Sequence, residues 1–167
     1  MSVSVEEARQ QFSARRRKGT ICPVCDRFGK EYSRPMRAGM ALALIEIYKY
    51  FHGTDETRAW CHVESLIKEV APHIRGGDWC KLRFWGFLEQ PSEPEFDDLS
   101  LDGDEITNPK NGYWRITEAG EAFVRNQLHA LERVVLYNNT AHGFEGELVD
   151  ITTVLQRGGF NYEEIMQ

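Results

Sequence analysis

Two runs decide the fold: D-W-C-K-L-R-F-W-G-F-L-E-Q at residues 78–90 and G-Y-W-R-I-T-E-A-G-E-A-F-V at residues 112–124. The first predicts a helix capped by Asp78 and stopped by Gly86, then a strand starting at Phe87-Leu88-Glu89. At ~100° per residue, Trp79, Leu82 and Trp85 fall on one face of that helix, the expected core face. Cys80 and Phe84 fall opposite, with Lys81 and Arg83 at the flanks. The second run alternates from Tyr113 to Ile116, as a strand does, and Thr117 then caps a helix expected over Glu118–Leu131. Glu118 and Glu121 place acid in its first turn, where the helix dipole favours it.

Upstream, Arg34 to Phe51 carries the clearest helical period. Met40, Leu44, Ile47, Tyr48 and Phe51 recur at three- and four-residue steps, Pro35 suits a first turn, and Gly53 ends the run. A short strand is expected around Ala59–Val63 and a short helix over Glu64–Ala71, ended by Pro72. Downstream, Arg133–Tyr137 and Ala141–Phe144 flank Asn138-Asn139-Thr140, which reads as a hairpin. A short helix or strand over Val149–Gln156 and an apolar tail with Phe160, Tyr162, Ile165 and Met166 follow.

Helix, glycine, strand, loop, strand, helix resembles the second half of a winged-helix domain, in which W-R-I-T-x-x-G closes the wing and opens the last helix. The resemblance covers about residues 36–128. It implies an α+β fold: a winged helix-turn-helix core at 34–131, a long acidic wing loop at 89–111, a basic N-terminal segment at 1–33 and a C-terminal hairpin and short-helix appendage at 132–167. In that family the outer face of the third helix enters the major groove of DNA. The family also dimerises through added helices, so a homodimer is a further implication.

Cys22-Pro-Val-Cys25 resembles a zinc knuckle, whose tight turn lets two thiolates face one tetrahedral ion. Remaining ligands are sought in Cys61, His62 and Cys80, and less readily in His52 and His73. An empty, vestigial knuckle and a redox pair are the rival readings, although no βαβ pattern surrounds the motif as a redox pair would have. A knuckle, a winged helix and a Tyr-Asn-Asn hairpin together resemble small proteins carried by bacteriophages and mobile elements. That likeness implies a phage origin and supplies no catalytic residue.

The 167 residues are 41% hydrophobic and 11% aromatic, enough for a packed core and too few for more than one large domain. No run approaches the ~18 apolar residues of a membrane span, and the N-terminus lacks a signal-peptide core, so a cytoplasmic chain without membrane contact is expected. No spacing joins a nucleophile to a base and no glycine-rich phosphate loop is present, so catalysis is not expected.

The net charge of −6 is unevenly spread. Residues 1–37 hold nine Lys/Arg against four Asp/Glu, whereas residues 89–111 hold eight acids against Lys110. Two functions follow. In the first, Arg15, Arg16, Arg17, Lys18, Arg75, Lys81 and Arg83 contact the phosphates of double-stranded DNA, as in a phage-type regulator. In the second, the domain is a scaffold for a phage-type inhibitor or adaptor. Phe84 with Asp97, Asp98, Asp102, Asp104 and Glu105 then grips a basic, nucleic-acid-handling host protein. The fold, the basic segment and Lys81 with Arg83 support the first, which is the leading reading; the acidic loop, the extra hairpin, and Cys80 and Phe84 where base-reading side chains belong support the second as the alternative.

Overall fold

The computed structural model describes residues 3–53, 60–92 and 112–167. The chain is α+β and divides into two compact units. One takes the chain up to Pro35 together with Leu131–Glu147; the other takes Met36–Ala130 together with Leu148–Gln167. The hairpin therefore joins the N-terminal segment, and the C-terminal helices join the central unit.

The larger unit is built around helix α2 (Ala38–His52). Its residues 41–45 are all buried, so apolar side chains point outward in every direction and other elements cover the helix all round. Around it lie α3 (Val63–Val70), a 3₁₀ helix (Asp78–Trp85), α4 (Glu118–Val124), α5 (Ile151–Arg157) and α6 (Tyr162–Met166). A small antiparallel sheet has β6 (Tyr113–Ile116) at its centre, with β4 (Cys61–His62) on one edge and β5 (Leu88–Glu89) on the other. Cys61 lies opposite Trp114, and Leu88 opposite Ile116.

Thr117 and Gly120 anchor the run W-R-I-T-E-A-G. The Thr117 hydroxyl accepts the Gly120 amide at 3.1 Å and donates to the Gly86 carbonyl, while the Thr117 amide donates to the Phe87 carbonyl at 3.0 Å. Gly120 is buried so close to Phe87 that a Cβ would lie 2.3 Å from its carbonyl oxygen. Phe87 in turn stacks on Phe123, centroids 4.6 Å apart. Gly86 ends the 3₁₀ helix in the left-handed region at φ 72°, a conformation costly for a residue with a Cβ.

The segment after Asp78 is a 3₁₀ helix rather than the expected α-helix. Residues three apart eclipse at three residues per turn, so Trp79, Leu82 and Trp85 still share a face. Leu82 is fully buried, Trp79 packs edge-on to Trp114 at 5.6 Å, and Trp85 and Cys80 are half-buried against the same core.

In the smaller unit, helix α1 (Val5–Arg15) opens on a capping box: the Ser4 hydroxyl accepts the Glu7 amide at 3.2 Å and Glu7 accepts the Ser4 amide at 3.0 Å. A two-stranded ribbon, β1 (Thr20–Ile21) and β2 (Phe28–Gly29), follows. A three-stranded sheet then runs β3 (Tyr32–Pro35), β7 (Ala130–Tyr137), β8 (Thr140–Val149). Asn138 and Asn139 turn the hairpin with φ of 50° and 58°, the pair of positive values a two-residue type I′ turn requires.

Two expected boundaries move because of this sheet. Pro35 closes a strand opposite Arg133 instead of opening α2, which starts at Ala38. The helix after Thr117 stops at Val124 instead of reaching Leu131; Asn126 takes φ 60° and the chain passes into β7.

Candidate functional site

The exposed cations of the smaller unit define the site. Arg16 is not among the free ones: its guanidinium pairs with Glu31 at 2.6 Å and lies 4.8 Å over the Tyr137 ring. Arg17 pairs with Glu145 at 2.6 Å, and the Ser33 hydroxyl together with Arg17 holds the Glu145 carboxyl below its usual range. Arg133 is spent on the Ser33 hydroxyl and carbonyl at 2.8 and 3.0 Å. Arg9, Arg15, Lys18, Arg27, Lys30 and Arg34 are all exposed, and none has a carboxylate within ion-pair reach among the described residues.

Three of these six sit on or beside the ribbon, interleaved with aromatic rings. The order Arg27-Phe28, Lys30, Tyr32, Arg34 alternates charge and ring along extended backbone. Lys30 Nζ lies 5.7 Å and the Arg34 guanidinium 5.2 Å from the Tyr32 ring centre. Phe28 is 66% exposed and Tyr32 47%. Both line a groove of about 510 Å³ with Phe12, Tyr137, Arg27 and Lys30. Arg27, Lys30 and Arg34 fall within the nine Lys/Arg of residues 1–37, a count that does not distinguish them. The alternation of cation and ring in 27–34 was the available signal.

The turn of the ribbon carries the cysteine motif. The Cys22 amide donates to the Arg27 carbonyl at 2.8 Å, the Asp26 amide donates to the Cys22 carbonyl at 3.0 Å, and Asp26 takes φ 55°. The amides of Val24 and Cys25 point at the Cys22 sulfur and lower its thiol pKa, the Cys25 side chain adding to the effect. Cys22 is half-buried, Cys25 exposed, and both are free thiols. A lowered pKa favours the thiolate form of Cys22.

The other expected metal ligands do not gather with them. Among the described residues, no three Cys, His, Asp or Glu side chains form a group that could hold a metal ion. Cys61, His62 and Cys80 belong to the larger unit and have structural roles there. Cys61 is buried beneath Trp114; the His62 ring caps α3, its Nδ1 accepting the Ser65 amide at 3.3 Å; Cys80 packs on the core. His52 pairs with Glu121 at 3.0 Å, and His73 lines a cleft of about 240 Å³ with Arg75 and Trp79.

On the 3₁₀ helix, Lys81 pairs with Asp78 and the Arg83 guanidinium lies 4.8 Å over the Phe84 ring. Arg75 is exposed on the turn before it. Six residues after the end of α4, the chain re-enters a sheet at Ala130. The acidic residues Asp97, Asp98, Asp102, Asp104 and Glu105 lie outside the described residues. No helix among those described is long and apolar enough to cross a membrane.

Comparison with protein-family models, with curated proteins and with solved structures returned no match for this chain.

Proposed function

We propose that the protein is a non-enzymatic, phage-type nucleic-acid-binding regulator whose contact face is the smaller unit. One observation carries this reading: six exposed cations there lack an acidic partner among the described residues, while the 3₁₀ helix has its lysine neutralised by Asp78. A polyanion releases counterions when it meets such a face, and that release drives affinity.

In the larger unit, the order α2, β4, α3, 3₁₀ helix, β5, β6 with β6 central supports the winged-helix reading. Its third helix is a short 3₁₀ segment bearing Cys80 and Phe84, so this unit acts as scaffold and the N-terminal unit as the phosphate contact. Zinc belongs to the proposal as a structural ion. Cys22 and Cys25 are suited to two of its four positions. Zinc would fix the ribbon turn by tetrahedral thiolate coordination.

The test is fluorescence anisotropy of labelled duplex and single strands titrated with the intact protein from ~50 mM salt upward. Binding is expected to weaken steeply, with a log–log slope of about −0.9 per phosphate neutralised on duplex. Lys30→Ala with Arg34→Ala should flatten that slope by roughly two such steps. No binding at ~50 mM salt, where screening is weak, would overturn the reading in favour of a protein partner for Phe84 and the acidic segment.

A further inference from the structure

The geometry points to single-stranded nucleic acid, rather than duplex, as the ligand of the groove beside the cysteine ribbon. This rests on the nucleic-acid reading above and specifies the form of nucleic acid that the face takes.

Charge alone does not separate the two forms, because both present phosphates. The rings do. A duplex keeps its base faces stacked inside, so an exposed ring on a protein finds no partner there. A single strand offers every base face, and base–aromatic stacking is its sequence-tolerant mode of recognition. Phe28 and Tyr32 are the exposed rings of this unit that line the groove, and cations stand beside them. With Lys30 and Arg34 both within 6 Å of the Tyr32 ring, a base stacked on Tyr32 would hold its phosphates next to positive charge.

Phe28 is also held in place before any ligand arrives. Phe28 Cζ lies 2.6 Å from where a Cβ on Gly19 would be, so the absence of a side chain at Gly19 lets the ring rest on backbone. Phe12 uses Gly29 the same way, at 2.2 Å, and meets the Tyr137 ring edge-on at 5.9 Å. A ring seated against backbone gives up little rotamer freedom when a base stacks on it, and lower ordering cost strengthens binding. An acidic peptide would use the same cations without calling for exposed rings beside them.

The experiment uses the full chain and three labelled probes, oligo-dT, oligo-U and a mixed-sequence duplex, each about 15 nucleotides or base pairs long, the upper end of one small fold's footprint. Both single strands should bind more tightly than the duplex at ~50 mM salt; a preference between dT and U then assigns DNA or RNA. Phe28→Ala should weaken single-strand binding roughly 5- to 150-fold, the loss of one stacked base, and leave duplex binding within about twofold. Phe28→Tyr should retain binding. A Tyr32→Trp variant supplies a readout independent of Phe28→Ala folding, since its emission should be quenched by single strands and not by duplex. Equal or tighter duplex binding, or equal losses on both probes in Phe28→Ala, overturns the single-strand inference while leaving the nucleic-acid reading in place. Failure of all three probes to bind overturns both.

Discussion

Replacing Gly120 by alanine sets helix propensity against packing, and the structure decides the sign. Alanine is the better helix former by about 1 kcal/mol in a helix interior. Gly120 sits in the first turn of α4, and its new Cβ would lie 2.3 Å from the Phe87 carbonyl oxygen and 2.8 Å from Ile116 Cγ1. Ordinary contacts between heavy atoms begin near ~3.5 Å, so α4 would have to retreat by about 1 Å. That retreat stretches the bond from the Thr117 amide to the Phe87 carbonyl, now 3.0 Å, and disturbs the Phe87–Phe123 stack. Overpacking of this kind costs about 1–3 kcal/mol and exceeds the propensity gain. At roughly 2–4 °C per kcal/mol for a chain of this size, a packing cost near the top of that range less the propensity gain, about 2 kcal/mol net, should lower Tm by about 4–8 °C. Gly39→Ala is the matched control. Gly39 also lies in a first turn, that of α2, and a Cβ there meets nothing within 4 Å. It should raise stability by about 0.4–1 kcal/mol. Thermal and urea unfolding followed by circular dichroism measures both. If Gly120→Ala matched or exceeded the parent protein, the close approach of α4 to Phe87 would be refuted.

Three further outcomes are expected. Leu82→Ala should cost about 2–5 kcal/mol because Leu82 is fully buried, whereas Phe84→Ala, at a half-exposed position outside the core, should cost under about 1 kcal/mol; urea midpoints of the two variants decide it, and the reverse order would refute the placement of the 3₁₀ helix. Asp150 caps α5 by accepting the Thr153 amide at 2.7 Å, and that bond lowers its carboxyl pKa. Its stabilisation is therefore present above the unfolded value of about 3.9 and is lost as pH falls through the lower folded value. Asp150→Ala should cost about 1 kcal/mol near neutral pH, and urea melts should show the gap narrowing at ~pH 3. Elemental analysis of protein purified without chelator should find about one zinc per chain, lost in Cys22→Ser, as thiolate coordination requires; four freely titratable thiols and no metal would remove zinc from the proposal.

Local chemistry was legible in the residues themselves. The three- and four-step apolar period gives α2, the Thr117 cap starts α4, Gly86 ends the 3₁₀ helix and the Asn138-Asn139 pair turns the hairpin, each because the determinant lies within a few residues of its effect. Tertiary structure alone decided what depends on a distant partner. Pro35 belongs to a strand because Arg133 lies opposite it, and α4 is short because the chain after it is taken into the same sheet. The division of the cations is of the same kind. Arg15, Arg16, Arg17 and Lys18 read as one cluster, yet folding brings Glu31 to Arg16 and Glu145 to Arg17 and leaves Arg15 and Lys18 exposed without such a partner among the described residues. For Arg17 the choice was made by a strand more than a hundred residues downstream, since an ion pair needs two groups within a few ångströms and sequence distance does not set that separation.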